Sequence, residues 1–120
     1  FEDWLPTLAE LCGAKNPLAG DGISFAATLL GEAQPARPFL YREFAGYGGW
    51  QAVWVGDHKL VRKNLQKGPV ATELYELTTD PSETKDLAAA EAARVQELAA
   101  ILVREHVASP TFPLQTIDPK

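Results

Sequence analysis

Two hydrophobic periods run along this chain, and the switch between them lays out its elements. From Asp3 to Cys12, Trp4, Leu8 and Leu11 recur at spacings of four and three with Leu5, Ala9 and Cys12 beside them, the stripe of an amphipathic helix. Asp3 stands at the N-cap position and Gly13 just past the end. Residues 15–22 are rich in Gly, Pro, Asn and Asp and read as a loop, after which Phe25 to Leu30 forms a short helical turn before Gly31. A period of two then takes over. β-branched and aromatic residues gather near 38–44, 50–55, 58–63 and 72–77, between turn signals, and predict four strands. Gly56-Asp57 suits a tight antiparallel hairpin between the second and third, whereas 64–71, with Lys67-Gly68-Pro69, makes a looser connection. Asp80-Pro81 supplies a cap and a first helical position, and Ala88, Ala92, Val95, Ala99, Leu102 and His106 restore helical spacing from about 88 to 106. Pro110 and Pro113 end that helix and leave an extended tail.

Strands followed by a helix predict an α+β fold: a small four-stranded antiparallel sheet packed against a long C-terminal helix, preceded by an N-terminal helical segment. The expected division is a helical and loop segment over 1–32 and the sheet-and-helix unit over 33–120. No internal repeat or low-complexity segment interrupts it.

Composition narrows the function classes. With 120 residues, 46% of them hydrophobic, the chain can bury a modest core. A net charge of -5 with scattered Lys and Arg leaves no basic face for nucleic acid. No apolar run reaches the roughly 20 residues that cross a bilayer, so no membrane partner is expected. One cysteine cannot form an internal disulfide, and the two histidines, His58 and His106, lie too far apart in sequence for a local zinc site, so no metal is expected in this chain. Asp3, Asp21, Asp57 and Asp80 each adjoin a turn or helix start, where their own backbone hydrogen bonds explain them without calcium.

The motifs, taken in order, are more specific than any one of them. Asp3 to Leu8 reads Asp-x-Leu-Pro-Thr-Leu, Asp21 to Ser24 reads Asp-Gly-x-Ser, and Gln51 to Val53 reads Gln-Ala-Val. Gly56 to Leu60 gives Gly-Asp-x-Lys-Leu, Glu73 to Leu77 gives Glu-Leu-Tyr-x-Leu, and Asp80 to Glu83 gives Asp-Pro-x-Glu. In this order, over nearly the whole chain, they resemble the C-terminal subdomain of sulfatases, arylsulfatase-like hydrolases with an alkaline-phosphatase-type core. The resemblance implies a parent enzyme that hydrolyses a sulfate ester with a formylglycine and calcium. The formylglycine precursor, Cys/Ser-x-Pro-x-Arg, is absent: Cys12 is followed by Gly13, Ala14 and Lys15. The resemblance therefore implies no catalytic residue and no cofactor in this fragment, a partner in a catalytic domain that precedes it in the same chain, and a sulfated small molecule or sugar as the parent's substrate. A chain that opens on Phe1 and enters a helix at once is expected to be such a fragment. Family precedent places the parent in a periplasmic, secreted or lysosomal compartment, which these residues do not specify. Two departures stand out. Trp54 takes a place where the family often has Arg, and Asp86-Leu87 replaces the usual Asn-Leu, an Asp still being suited to cap a following helix.

The residues with chemical potential each have a structural alternative. The loop 45–50 joins three glycines to Tyr47 and Trp50, a mobile finger suited to stacking on a sugar or aryl ring, or a plain hairpin loop whose aromatics cover the core edge. Arg42 and Glu43 at its base either orient a polar substrate group or form a solvated pair. Lys59 beside His58 invites a general acid or a sulfate clamp, against a stem laid across the sheet with its ammonium on Glu73 or Glu76. His58 sits where the family commonly shows an aromatic residue, which favours packing. His106 is expected to cap carbonyls or pack on a strand, and Tyr75 to be core. The rim candidates are thus Tyr47, Trp50, Arg42, Glu43, His58 and Lys59. The rival readings are a stand-alone module that binds carbohydrate or protein through the 47–50 loop, and the closing domain of a phosphonate monoester hydrolase. An exposed Trp4 stripe also raises self-association of the fragment.

Overall fold

The computed structural model describes residues 2–14 and 20–118; most of the loop expected over 15–22 lies outside them. The chain divides into two compact units, Phe1–Arg37 and Pro38–Lys120. In the second, strands β1 (Leu40–Phe44), β2 (Trp50–Val55), β3 (His58–Lys63) and β4 (Ala71–Glu76) form an antiparallel sheet in sequential order, and helix α3 (Ala92–Glu105) packs on it. The first holds α1 (Trp4–Leu11) and α2 (Ala26–Leu29). This is the α+β arrangement that the two periods foretell.

In the first unit the two family motifs hold each other. Thr7 is wholly buried; its Oγ1 donates to the Asp3 carbonyl at 2.6 Å and accepts the Phe25 amide at 3.0 Å. The Asp3 side chain makes no cap hydrogen bond, contrary to expectation, because its carboxylate accepts from the Ile23 amide at 2.8 Å and the Arg37 guanidinium at 2.5 Å. Those bonds, the amide of Ile23 foremost, hold the Asp3 carboxyl below its ordinary value. Gly22 passes so close that a Cβ there would lie 2.2 Å from the Glu2 carbonyl oxygen. Asp-Gly-x-Ser is therefore shaped to lie against Asp-x-Leu-Pro-Thr-Leu, and Trp4 meets Phe25 edge-on at 5.1 Å. Arg37 on Asp3 and the Gln34 amide on the Ser24 carbonyl bind 34–37 into this unit.

In the second unit the register sorts the strands onto two faces. Val53, Leu60 and Leu74 stand side by side across β2, β3 and β4 and close with Leu98 and Leu102 of α3 into a fully buried cluster. Burying five such side chains contributes on the order of 1.5–3 kcal/mol each. Gln51 shares this face and is 1% exposed, its amide donating to Tyr41 Oη at 3.0 Å. On the opposite face Ala52, Val61 and Tyr75 form a second cluster, flanked by Trp50, Trp54 and Leu77, so Tyr75 is core as expected. Gly56 has φ +55° in the β2–β3 turn, the left-handed conformation that the Gly-Asp pair anticipates.

The last helix begins at Ala92, four residues later than the spacing from Ala88 predicts. Residues 86–88 are taken by the sheet edge: the Asp86 carboxylate accepts the Leu74 and Ala88 amides at 3.0 and 2.8 Å, and the Leu87 amide donates to the Leu74 carbonyl at 2.8 Å. Asp86 thus ties β4 to a turn rather than capping a helix. Asp80 likewise opens a turn, its carboxylate accepting the Thr84 and Lys85 amides at 2.8 Å.

Candidate functional site

The face of the sheet opposite α3 carries a shallow groove of about 490 Å³. Its floor is the small cross-strand pair Ala52 and Val61, and its flanks are two Trp–Lys pairs, Trp50 opposite Lys63 and Trp54 opposite Lys59. This follows from the strand period. Residues 50, 52 and 54 of β2 share a face, as do 59, 61 and 63 of β3, so sequence that alternates large, small, large makes a saddle with aromatic ends. Tyr47 and Asn64 stand at one end of it.

The loop that carries Tyr47 is anchored rather than free. The Gly49 amide donates to the Gly46 carbonyl at 2.9 Å, while the Gly48 and Gly49 carbonyls accept the Gln66 and Leu65 amides at 2.8 and 3.0 Å. Only the tip projects. Tyr47 has φ +51° and is 98% exposed, with Phe44 6.0 Å away and Phe44 in turn 6.2 Å from Trp50, both tilted. A large apolar ring held out from a tethered loop in a left-handed conformation is a costly arrangement that a merely connecting loop does not need.

Lys59 reaches neither Glu73 nor Glu76. Its ammonium lies 2.7 Å from both carboxylate oxygens of Glu83 and 5.2 Å from the centre of the Trp54 ring. Two family motifs thus meet in space: the Lys of Gly-Asp-x-Lys-Leu and the Glu of Asp-Pro-x-Glu. Glu83 stands at φ +54° in the turn that its amide closes on the Asp80 carbonyl at 3.1 Å. Glu73 instead pairs with Lys63 at 2.5 Å and accepts from Tyr75 Oη at 2.7 Å. The bond to Glu73, with burial, pushes the Tyr75 hydroxyl up to about 12. Glu76 accepts the Thr78 and Thr79 amides at 3.0 Å. A lysine whose ammonium is already held by both oxygens of a carboxylate is spoken for as a sulfate clamp; it is a strut of the groove.

The six rim candidates are not gathered in one place. Tyr47, Trp50 and Lys59 line the groove. Arg42 shares that face by strand alternation and donates to the Tyr41 carbonyl at 2.9 Å. Glu43 and His58 project from the other face, towards α3. There His58 approaches Glu91 at 3.7 Å, and Glu43 accepts from Tyr41 Oη, from Gln51 at 3.4 Å and meets His106 at 2.8 Å. Burial raises Glu43, but the hydrogen bonds from Tyr41, His106 and Gln51 together hold it below its ordinary value. Lys63 and Asn64 are groove residues that motif reading passed over, and Trp54, noted there only as a departure from the family's Arg, joins them. The signal was available: a β hairpin of known register places Trp54 beside Lys59 and Trp50 beside Lys63. Among the described residues no group of three or more His, Cys, Asp or Glu is arranged to hold a metal ion, so no step through calcium is derived for this chain.

Four antiparallel strands in sequential order with a helix on one face and an aromatic groove on the other define a small α+β subdomain, and comparison with known proteins identifies its source. No family model matches the chain. It is 32% identical over 99 residues to a Δ4,5-hexuronate-2-O-sulfatase of Bacteroides thetaiotaomicron, spanning 72% of this chain and 18% of that protein. A solved structure from the same species, assigned as a sulfatase, superposes with a TM-score of 0.71 at 31% identity over 83% of this chain and 23% of its own. The fold recurs, at TM-score 0.67 and 23% identity, over 85% of this chain and 22% of a solved protein bound to its substrate D-glucosamine-2-N,6-O-disulfate. The chain belongs to the sulfatases, as a subdomain matching their C-terminal region. It spans about a fifth of the length of the relatives it matches.

Proposed function

We propose that this chain is the part of a sulfuric ester hydrolase that packs on the catalytic domain and forms one rim of the substrate cleft, with Tyr47, Trp50 and Trp54 as stacking surfaces for a sulfated sugar. The observation that carries the reading is Tyr47, 98% exposed on a tethered loop at the end of a groove with two Trp–Lys pairs. Aromatic faces suit the C–H faces of a sugar ring, and the paired lysines keep the groove polar at its edges. Names of similar proteins support a sulfated uronic acid or glucosamine unit as the substrate class. The first unit supplies the docking surface: Trp4, Leu5, Leu8 and Leu11 of α1 are each between 42% and 52% exposed, more apolar area than a short helix leaves uncovered without a partner. Without the catalytic domain the chain has neither the formylglycine precursor nor a metal cluster among its described residues, and it is inactive alone.

The test is the intact enzyme with Tyr47→Ala and Trp50→Ala, assayed on a sulfated disaccharide and on a small aryl sulfate. Loss of a stacking contact is worth about 0.5–1.5 kcal/mol, so each variant lowers kcat/KM for the disaccharide by roughly 2- to 12-fold and leaves the aryl sulfate unchanged. Equal kcat/KM values on the disaccharide sink the rim role. Tight sugar binding by the 120-residue chain alone, with no sulfate release by the intact protein, replaces this reading with a stand-alone binding module.

A further inference from the structure

His106, the C-cap of α3, is clamped between two carboxylates from different parts of the second unit. Its Nδ1 lies 2.8 Å from Glu43 Oε2 at the end of β1, and its Nε2 lies 2.6 Å from Asp118 Oδ1 in the tail. A neutral imidazole has a single N–H, so it can donate to one of these carboxylates and must turn a lone pair to the other; only the imidazolium satisfies both. The ring is 15% exposed and Asp118 8%, so solvent does little to screen the contact. Asp118 carries the clamp further along the chain: its Oδ2 accepts the Leu114 amide at 2.7 Å, and its own amide closes the turn on the Leu114 carbonyl at 2.9 Å. Leu114 is 2% exposed, and it forms with Phe112 and Pro113 one wall of a cavity of about 760 Å³ whose other wall is Phe44, Ala45 and Gly46.

We propose that His106 is a protonation-dependent latch: as the imidazolium it straps the tail turn 114–118 to the end of β1, and as the neutral base it releases that turn and loosens the tail wall of the cavity.

On β1, Tyr41 donates to Glu43 and adds no competing charge while its hydroxyl is protonated; burial and the bond to Glu43 push that hydroxyl well up. On β2, Gln51 donates to Glu43, and Arg62 of β3 stands opposite Gln51 in the register. On α3, Arg104 pairs with Glu105 at 2.6 Å and lies over the Phe39 ring, so neither takes the place of His106. Burial lowers the His106 ring, but hydrogen bonds to Glu43 and Asp118 outweigh it and hold the ring above its ordinary value. The sign follows. A folded-state value above the unfolded one means that the strap is fully present below the unfolded value and is lost as pH rises through the folded one. Other tail contacts, the Thr116 amide and Oγ1 on the Leu65 carbonyl at 3.0 and 2.9 Å and Gln66 Nε2 on the Pro113 carbonyl at 2.7 Å, do not titrate and keep the segment near its place when the latch opens.

Amide hydrogen exchange of the 120-residue chain, followed residue by residue by NMR from about pH 5 to pH 9 with the His106 ring shifts read in parallel, tests this. After correction for intrinsic exchange, protection of Leu114 and Asp118 falls about tenfold to a hundredfold as the ring titrates, the loss of a charge-assisted hydrogen bond. In His106→Gln that protection is low and flat with pH. Asp118→Asn, which leaves His106 on Glu43, gives the same flat Leu114 profile and serves if the first variant does not fold. His58→Gln leaves the transition in place. Protection of Leu114 that stays constant while the His106 ring titrates overturns the proposal, as does an unchanged pH profile in Asp118→Asn.

Discussion

Breaking the Lys59–Glu83 pair gives the sharpest stability prediction. Lys59 is 17% and Glu83 35% exposed at the side chain, and both carboxylate oxygens take the ammonium. Exposed ion pairs contribute about 0–1 kcal/mol, whereas removing one partner of a buried pair costs about 3–5 kcal/mol. This pair lies between, so Lys59→Met, which keeps the stem on Trp54, costs roughly 2 kcal/mol, including about 0.5–1 kcal/mol of cation–π attraction. At about 4–8 °C per kcal/mol for a unit of this size, Tm falls by roughly 8–16 °C. Glu83→Gly loses the same pair but relieves φ +54°, which costs a non-glycine residue about 1–2 kcal/mol; its net loss is about 1 kcal/mol or less. A double-mutant cycle with Lys59→Met and Glu83→Gln, read by urea unfolding, isolates the pair. A coupling energy of at least about 1 kcal/mol is expected. A coupling below about 0.3 kcal/mol refutes a stabilising role for the Lys59–Glu83 pair.

Three further outcomes follow from other parts of the molecule. Leu98→Ala, at a wholly buried site, lowers stability by about 2–5 kcal/mol in urea unfolding, while Val103→Ala on the same helix, 69% exposed, stays within about 0.5 kcal/mol. Gly22→Ala places a Cβ 2.2 Å from the Glu2 carbonyl oxygen, so NMR shows the Ile23 and Phe25 amides losing exchange protection while the second unit keeps its own. Asp3, held below its ordinary 3.8 by the Ile23 amide and Arg37, contributes stability that is present above the unfolded value and is lost as pH falls through the folded one; the Ile23 amide shift reports that transition, and Asp3→Asn abolishes it.

Much of this was legible in the sequence because periodicity records burial. Strand boundaries fall within two residues of those read from the alternation of Val, Trp, Leu and Tyr, and the hairpin at Gly56-Asp57 follows from backbone chemistry alone. The late start of α3 was not legible, because Ala88 fits both the helical spacing and a turn, and tertiary hydrogen bonds from Asp86 and Leu87 to Leu74 decide between them. Pairing of long side chains escaped for the same reason. Strand order offers Lys59 the carboxylates of Glu73 and Glu76, and only the fold selects Glu83. Neighbouring candidates such as Arg42 and Glu43 read as a pair on paper, yet strand geometry sends them to opposite faces. The role of His106 depends on a tail residue twelve positions away, which no spacing rule links to it.

Sulfate release by the intact protein that contains this chain tests the central claim most directly. Incubated with a sulfated uronate disaccharide and, separately, an aryl phosphonate, it is expected to liberate free sulfate from the first and nothing from the second, with the 120-residue chain alone inactive on both. Phosphonate cleavage without sulfate release, or sulfate release by the isolated chain, contradicts the account.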